Sequence, residues 1–372
     1  MKTHIGHIDK TLAILVASLV VGGSLIFASA AFGLIARGAA GITSAVFSHL
    51  VFGIGAGIVA LIVTASIDYR VWRTYAPQVF AAALILTLLV FVPHLGAMYG
   101  GGRRWIILAH ISFQPSEALK LATIILAAAY FSGIKAKVVT LQHGLGGLCA
   151  ILALPVLILI AQPDLGTLGV ICFSVIAIFW TAGARWWHIL LLVVAGLFVI
   201  GCLALVQPYV RARVETFIHP SAAQQSNGYQ IKQSLIAIGS GGITGRGFGQ
   251  GIQKFTYLPE PMGDSIFAVA GEELGFIGTV MIVVLFLSFA LRGYHIATTS
   301  TDLFGSLLCV GIATYLASEA FINMGAMLGV APLTGIPLTF VSQGGSAMLV
   351  SLASAGVLLN ISRHRISRRT SA

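Results

Sequence analysis

Charged residues are scarce in this sequence. They account for 9% of its 372 residues, whereas hydrophobic residues account for 58%. A soluble protein needs roughly a quarter of its residues charged to cover its surface, so this composition excludes a water-soluble fold. The mean hydropathy of +0.98 agrees. The chain is therefore predicted to be an integral membrane protein.

Several functional motifs are also missing. The four cysteines lie in apolar runs without CxxC spacing, which gives no support to a zinc site or a disulfide framework. The ten histidines are dispersed without HExxH spacing, so no metal site is predicted. The net charge is +10, but the basic residues stand singly or in pairs between apolar runs. They form no basic stripe interleaved with aromatics, so nucleic acid is not an expected partner.

Long apolar runs dominate what is present. A membrane-crossing helix needs about 20 apolar residues to span a hydrocarbon layer of ~30 Å. The sequence contains ten candidate runs, near residues 11–34, 45–66, 78–96, 116–132, 145–161, 167–184, 187–206, 266–291, 303–330 and 344–361. The predicted fold class is an all-α polytopic membrane protein of about ten transmembrane helices, in a single domain over residues 1–372. The first run lacks a convincing cleavage site and is interpreted as a retained helix rather than a signal peptide.

The basic residues indicate an orientation. An even number of spans puts both termini on one side, and the loops of that side carry most of the lysines and arginines. The short loops on the other side carry only Arg37, Arg103 and Arg104. Because positive residues stay cytoplasmic, both termini are predicted to be cytoplasmic. The long loop between helices 7 and 8, about residues 207–264, is then extracytoplasmic.

Two segments of this long loop have distinctive patterns. NGYQIKQSLIAIGSGG (227–242) is typical of a short amphipathic helix lying in the outer membrane interface. GITGRGFGQG (242–251) is rich in glycine but fits neither GxxxxGK[ST] nor GxGxxG, so no nucleotide site is predicted. Two alternatives stay open for the glycine-rich segment: a flexible loop, or backbone held close to a bulky ligand.

Acidic residues number only 11, and a carboxylate on a membrane helix usually has a partner or a function. Glu117 and Lys120 share one predicted helix face, where an internal ion pair and a ligand role are both open. Glu319 is either a structural anchor or a member of a proton relay. Asp264 lies where the long loop meets span eight, so it can meet a lipid-borne substrate and accept a proton from an attacking hydroxyl. A helix N-cap is its alternative role.

Cations gather on the predicted outer side as well. Arginine forks match phosphate oxygens in pairs, and a cluster of them suits a pyrophosphate. A solvated rim, or contact with anionic headgroups, is the alternative. The residues concerned are Arg103, Arg104, Arg211, Arg213, Arg246 and Lys254.

Five segments between about residues 99 and 361 carry a family resemblance. They are RRWIILAHISFQPSEALKL, QPDLGT, NGYQIKQSLIAIGSGGITGRGFG, YLPEPMGDSIFAVAGEELGFIG and GIPLTFVSQGGSAML. In this combination and order, the chain resembles the SEDS family, the shape, elongation, division and sporulation proteins of bacteria. The KFTYLPE and GGITGRGFG stretches look closer to the division branch, FtsW, than to the elongation branch, RodA.

The resemblance implies a ten-helix protein of the bacterial inner membrane with peptidoglycan glycosyltransferase activity. Such enzymes polymerise lipid II, and undecaprenyl pyrophosphate is the leaving group. The essential acidic residue of the family matches Asp264, which would act as general base. The residues predicted to bind substrate are Arg104, Lys120, Glu117, Asp164, Arg213, Lys254, Glu273, Ser342 and Gln343.

The chain departs from the family pattern in two places. It reads GDSIF where TDFIF is usual, and SQGGS where SYGGS is usual, so that Gln343 takes the tyrosine position. Asp264 itself is kept. These departures bear on substrate packing more than on the chemistry.

Partners and alternatives follow from the same resemblance. The family pairs with a class B penicillin-binding protein, a transpeptidase, among membrane proteins of the divisome or elongasome. A divalent cation, Mg²⁺ or Mn²⁺, bridging Asp264 to a phosphate stays open. Two other functions also stay open: a lipid II flippase or other transporter, and a non-catalytic cell-wall scaffold. Transporters gather polar groups near the midplane, whereas the polar groups here concentrate on the predicted outer face, which favours an enzyme.

Overall fold

The computed structural model describes residues 7–36, 38, 42–99, 102–108, 111–219 and 227–364. Arg37 and residues 220–226 of the long loop lie outside this part of the chain. The two ends of the described chain meet. The Asp9 amide donates to Ser362 Oγ at 3.0 Å, and the Asp9 carboxylate accepts two bonds from Arg292, at 3.0 and 2.6 Å. We call this the terminal end of the bundle and the opposite one the distal end.

Helices make up most of the chain. The first half contains α1 (Lys10–Ala36), α2 (Ile42–Phe47), α3 (Ala56–Ser66), α4 (Arg70–Thr74), α5 (Ala76–Leu88), α6 (Pro115–Ile134), α7 (Gly146–Ala161) and α8 (Leu165–Thr181). The second half contains α9 (Trp186–Val206), α10 (Pro208–Ile218), α11 (Asn227–Ser240), α12 (Gln253–Thr256), α13 (Ile266–Thr299), α14 (Leu303–Met327) and α15 (Gly345–Arg363). Segments of π-helix, Ser48–Gly55 and Leu141–Leu145, lead directly into α3 and α7.

The predicted class, a polytopic helical membrane protein, is confirmed. Within the described residues, eight helical segments are long and apolar enough to cross a membrane. Two further predicted spans coincide with shorter apolar helices, Ala76–Phe91 and Leu165–Thr181. The count of ten crossings stays a prediction, because these two helices fall short of the usual length for a membrane span.

A small antiparallel sheet at the distal end was not predicted. Its strands are β1 (Gly96–Tyr99), β2 (Gly102–Leu108) and β3 (Ile111–Phe113), with β2 in the middle. Successive side chains of a strand point to opposite faces. Arg103 is therefore exposed, whereas the side chain of its neighbour Arg104 turns toward the protein and is only 13% exposed. The register with β1 shifts here and leaves Arg104 without a partner residue, and such a bulge redirects a side chain.

The helices differ greatly in burial. The most apolar stretches of α14 and α15 are 83% and 89% buried, so these two helices form the centre of the bundle. Small residues allow this close packing: a Cβ atom on Gly356 of α15 would lie 2.1 Å from Thr64 Oγ1 of α3. In α9, by contrast, His188 is the only buried residue, and its ring stacks on Phe179 with 6.1 Å between centroids. Most of the rest of α9 is exposed, although Leu192 packs against the core.

The glycine-rich segment 242–251 is fixed against α13. Gly275 adopts a φ of +65° and interrupts the helix there. A Cβ atom on Gly245 would lie 2.1 Å from the carbonyl oxygen of Glu273, so the two backbones touch. The glycines thus allow close contact with α13, and neither open alternative, flexible loop or ligand cradle, describes this contact. Four main-chain bonds of 2.9–3.1 Å join the segments, from Arg246 to Glu272, Gly247 to Glu273, Phe276 to Gly242 and Ile277 to Ile243.

The predicted amphipathic helix is α11. Its buried face includes Ile231, Ser234 and Ala237. Leu235 and Ile236 are 44% and 42% exposed. The helix therefore packs on the bundle through one face and leaves part of its apolar surface outside.

Candidate active site

Asp264 lies at the distal end, in the turn that leads into α13. Its Oδ1 accepts a hydrogen bond of 2.8 Å from Nε2 of Gln230 on α11, and the same nitrogen is 2.9 Å from Ser265 Oγ. The main-chain oxygen of Asp264 accepts a 2.8 Å bond from Nδ2 of Asn323 on α14. Asn323 also donates to the carbonyl of Ile336, at 2.8 Å. Two helices therefore fix the position of this carboxylate.

The surroundings of Asp264 raise its pKa to about 6. Burial is the main cause, because a desolvated carboxyl group prefers its neutral form. The negative charge of Glu260 acts in the same direction. The hydrogen bond from Gln230 and the positive charge of Arg213 lower the pKa and offset part of this rise. A carboxyl group in this range can take up and release a proton near neutral pH.

The alternative role of Asp264, a helix N-cap, does not occur. The residue before α13 is Ser265, and no side chain there makes a capping hydrogen bond. The Asp264 carboxylate accepts from Gln230 instead. The carboxylate is therefore held by a side chain of α11 and does not cap α13.

Arg213 on α10 is the cation that acts most directly on Asp264. Its Nη1 donates to the carbonyl of Thr334 at 3.1 Å, and its guanidinium carbon lies 4.3 Å from the centre of the Tyr209 ring. Burial lowers the pKa of Arg213 below its usual value. Its Nε is buried and has no hydrogen-bond partner among the described residues. An orphaned buried donor on a cation suits an anionic ligand.

Arg104 joins three parts of the distal end. Its Nε donates to the carbonyl of Gln162 at 3.3 Å, and Nη2 donates to the carbonyl of Pro163. Nη2 also reaches the hydroxyl of Tyr209 at 3.2 Å. Tyr209 therefore contacts both guanidinium groups, and the two arginines lie on either side of one aromatic ring.

Asp164 lies beside the guanidinium group of Arg104. Its Oδ1 accepts a 3.3 Å bond from the amide of Thr167 and so caps α8. Nη1 of Arg104 is 3.9 Å from the same oxygen. The other oxygen, Oδ2, accepts from Gln114 Nε2 at 3.2 Å and from Ser116 Oγ at 3.5 Å. This carboxylate is 4% exposed, so its role here is to orient its neighbours.

These charged groups form one electrostatic cluster. The pKa of Arg213 responds, after burial, to the charges of Arg104, Asp164 and Asp264. The cluster contains a half-buried carboxylate of raised pKa and two arginines with fixed positions. Such a set can accept a proton from one group and stabilise negative charge on another.

Lys120 is held in an interior ion cluster on α6. Its Nζ is 2.9 Å from Glu117 Oε2, three residues earlier, and 2.7 Å from Glu319 Oε1 on α14. The predicted Glu117–Lys120 pair is therefore present, and Glu319 is a structural anchor. All three side chains are at most 2% exposed. That Lys120 and Glu117 bind substrate stays a prediction, and in this structure two carboxylates enclose the ammonium.

Lys254 is held in a second interior cluster. Its Nζ is 2.6 Å from Glu273 Oε1, 2.7 Å from Ser29 Oγ of α1 and 3.1 Å from the carbonyl of Gly249. The side chain of Lys254 is 0% exposed. That Lys254 and Glu273 bind substrate stays a prediction, and in this structure the two side chains pair with each other. The pair fastens the loop before α12 to α1 and α13.

Ser342 and Gln343 lie beside the site in the loop before α15. Ser342 Oγ accepts the amide of Leu338 at 2.7 Å, so this hydroxyl stabilises its own turn. The amide of Gln343 donates to the carbonyl of Met262 at 2.7 Å. Met262 is two residues before Asp264, so the main chain of Gln343 lies close to the site, and a role of Ser342 and Gln343 in substrate binding stays a prediction.

The described residues offer no protein-made metal site. No group of three or more His, Cys, Asp or Glu side chains converges within the described part of the chain. Asp264 and Glu260 interact electrostatically, and one or two carboxylates hold Mg²⁺ in proteins chiefly together with substrate phosphates. A divalent cation bridging Asp264 to a phosphate therefore stays a prediction, and no chemical step is assigned to it.

Sequence reasoning missed Tyr209, Gln230 and Thr334. Tyr209 had a usable signal, because Pro208 marks a helix start and a spacing of four residues puts Tyr209 and Arg213 on one face. Gln230 had none, since it lies 34 residues from Asp264 in the chain. Thr334 contributes only its carbonyl, which no side-chain pattern reveals.

The geometry defines a class of protein: a polytopic membrane protein with a half-buried carboxylate and two arginines at one end of its bundle. The family model described as cell cycle protein, covering FtsW, RodA and SpoVE, matches residues 10–367. The chain belongs to this family.

Individual relatives are similar over most of their length. Stage V sporulation protein E of Bacillus subtilis is 40% identical over 310 residues, which cover 83% of this chain and 85% of that protein. The probable peptidoglycan glycosyltransferase FtsW of Geobacter metallireducens is 40% identical over 306 residues, 82% of each protein. Since relatives named for sporulation and for FtsW are equally similar, the division branch stays a prediction.

Solved structures share the fold. The rod shape determining protein RodA of Thermus thermophilus superposes with a TM-score of 0.68 at 25% identity, over 96% of this chain and 97% of that one. A chain of a peptidoglycan synthase complex, solved to describe how polymerization and crosslinking are coordinated, gives a TM-score of 0.79 at 26% identity. That match covers 97% of this chain and 99% of the other.

The interior role of Lys120 leads to a stability prediction. Lys120→Met leaves Glu117 and Glu319 buried without their cation, and breaking such a pair costs about 3–5 kcal/mol. We expect a clear fall in the thermal unfolding temperature of the purified protein in detergent. Lys232→Met on the exposed side of α11 is the control and should change stability by no more than about 0.5 kcal/mol. Equal stability of the two variants would contradict the structural role.

Proposed function

We propose that Asp264 and the two arginines of the distal cluster carry out glycosyl transfer in this chain, which is a peptidoglycan glycosyltransferase that polymerises lipid II. The observation that carries the proposal is a half-buried carboxylate of raised pKa, fixed by Gln230, within the electrostatic influence of Arg213. A base and a cation placed in this way can act on both substrates of one displacement. The base removes the proton of the acceptor hydroxyl, and the cation binds the pyrophosphate of the donor.

The reaction is a single displacement at the donor sugar. Asp264 takes the proton of the acceptor 4-hydroxyl while the oxygen of that hydroxyl attacks the anomeric carbon of the donor. The bond between that carbon and the pyrophosphate oxygen breaks, and the bonding pair leaves with undecaprenyl pyrophosphate. Attack from the opposite face inverts the anomeric centre and needs no covalent enzyme intermediate. One carboxylate therefore suffices.

The arginines act on the leaving group. Arg213 and Arg104 flank Tyr209, so two guanidinium groups are available to a pyrophosphate at one place. Positive charge that is fixed before the reaction stabilises the charge that develops on the departing oxygen. The buried and unpartnered Nε of Arg213 supports this role.

The position of α9 supports a lipid-linked substrate. His188, at the terminal end, is the only buried residue of α9, and most of the rest of this helix is exposed. α10 begins two residues after α9 ends and carries Tyr209 and Arg213. A polyprenyl chain that lies along α9 would therefore bring its pyrophosphate close to α10.

The reaction side follows from the charge distribution. The terminal end holds both described chain ends and, by sequence, most basic loop residues. We infer that this end is cytoplasmic and that the distal cluster faces the outside of the bacterial inner membrane. The lipid II headgroup would be met there.

A transpeptidase partner is part of the proposal. The similar synthase complex was solved to describe the coordination of polymerization and crosslinking. A crosslinking enzyme must act on the strand on the side where it is made. We infer that a class B penicillin-binding protein joins this chain, together with other divisome or elongasome membrane proteins.

Asp264→Asn should abolish glycan formation. The amide cannot accept the proton of the acceptor hydroxyl, although it has nearly the same shape. Purified protein, reconstituted with lipid II and its partner, is assayed for glycan strands on a gel. Glu215→Gln, an exposed carboxylate change on α10, serves as control and should retain parental activity. Glycan formation by the Asp264→Asn protein would refute the role of Asp264 as the base. Translocation of lipid II by the parent protein without glycan formation would indicate a flippase.

The pH dependence of polymerisation provides a separate test. Asp264 has a pKa of about 6 and works only when deprotonated. Activity should therefore rise with pH through about 6 and level off above it, falling about tenfold per pH unit on the acid side. The measurement is the initial rate of lipid II consumption between pH 5 and 8, about the range over which the rate changes. An acid limb near pH 4, about the value of an ordinary aspartate, would disprove the burial effect.

A further inference from the structure

Gln230 makes the closest side-chain contact with Asp264. Its amide nitrogen lies 2.8 Å from Asp264 Oδ1 and 2.9 Å from Ser265 Oγ. A carboxamide nitrogen has two N–H groups, so each of these oxygens can receive one. The amide thereby joins α11 to the turn before α13 through two bonds.

The second carboxylate oxygen of Asp264, Oδ2, differs from Oδ1 in its hydrogen bonding. Among the described residues, no other side chain donates a hydrogen bond to the Asp264 carboxyl group, whose Oδ1 is occupied by Gln230, although its own main-chain amide also interacts with it. An ionised carboxylate oxygen can accept about two hydrogen bonds. Oδ2 is therefore the oxygen with free capacity for an incoming hydroxyl.

We propose that Gln230 is a positioning residue for glycosyl transfer, which holds Oδ1 of Asp264 so that Oδ2 is presented to the acceptor hydroxyl. This inference rests on the proposed function, because it assumes that Asp264 is the base. It assigns to the long distal loop a direct part in the chemistry. The loop supplies the group that aims the base.

The position of Gln230 is itself rigid. α11 is anchored to the bundle by buried Ile231 and by Ser234, whose hydroxyl lies 3.3 Å from Met327 Sδ of α14. Asn323, also on α14, holds the main-chain oxygen of Asp264. Asp264 and Gln230 are thus both anchored to the same central helix, α14. This common anchor keeps their separation constant.

A neutral donor suits the charges that face Asp264. From its own turn, Glu260 opposes ionisation of the carboxyl group, and from α10, Arg213 favours it. The amide of Gln230 faces it from α11 and Asn323 from α14, and neither carries charge. Gln230 stabilises the ionised form by a hydrogen bond alone. It therefore lowers the pKa of Asp264 without adding a charge that would compete for the pyrophosphate.

The test uses the reconstituted full chain with lipid II. Gln230→Leu keeps similar volume but removes both N–H donors. We expect kcat to fall about 10- to 100-fold, as for the loss of a hydrogen bond to a charged group, with little change in KM. The acid limb of the kcat–pH profile should move about one unit higher, since loss of the donor raises the pKa of Asp264. The loss should therefore be smaller at pH 8, about two units above the base pKa, than near that pKa.

Gln233→Leu provides a matched control. Gln233 lies on α11 one turn after Gln230 and makes no hydrogen bond to Asp264. The same substitution there should leave kcat and the acid limb unchanged. Gln230→Glu offers a second variant of nearly identical shape, should the leucine variant fold poorly. It replaces a donor by a negative charge and should move the acid limb further upward.

Three results decide the inference. A shifted acid limb in Gln230→Leu or Gln230→Glu, with an unshifted limb in Gln233→Leu, supports it. Reduced activity at all pH values with an unchanged limb overturns it, because that pattern describes a merely structural residue. Parental activity in both Gln230 variants also overturns it. Asp264→Asn is measured in parallel: activity in that protein would refute the proposed base itself and so identify a different failure.

Discussion

The cost of taking charge out of water governs this protein. An ion in a low-dielectric interior loses several kcal/mol of hydration, and a well-placed partner must offset that loss. The bundle obeys this constraint through two enclosed clusters. Lys120 is paired with Glu117 and Glu319, and Lys254 is paired with Glu273. The first cluster joins α6 to α14, and the second joins the distal loop to α1 and α13. The distal loops project from this frame.

The same constraint separates binding charges from structural ones. In the interior clusters every charged group has a partner within 3 Å, about hydrogen-bond distance. At the distal end the compensation is incomplete: within the part of the chain that the structure describes, Arg213 Nε has no hydrogen-bond partner, and Gln230 is the one side chain that donates to Asp264, whose pKa is raised. Incomplete compensation is what a substrate with both a hydroxyl group and a pyrophosphate can relieve. The proposed chemistry is therefore placed at the distal end, where the charged groups are incompletely paired.

Local patterns predicted a large part of this arrangement. Span lengths gave the helices, the three-residue spacing gave the Glu117–Lys120 pair, and chain position brought Asp264 to the end of the bundle. Features that depend on distant parts of the chain were not predictable. Glu319 is 199 residues from Lys120, and nothing near Lys254 in sequence shows that its ammonium is enclosed. Arg104 was distinguished from Arg103 only by an unpredicted strand, whose register shift leaves Arg104 without a partner residue.

The central claim is that Arg213, rather than the enclosed lysines, holds the lipid-linked pyrophosphate. The most direct measurement is the affinity of the protein in nanodiscs for undecaprenyl pyrophosphate, with and without Arg213→Gln. Loss of a charge-assisted contact should weaken binding about 10- to 100-fold, while the unfolding temperature stays near that of the parent. Unchanged affinity in a folded Arg213→Gln protein would contradict the account.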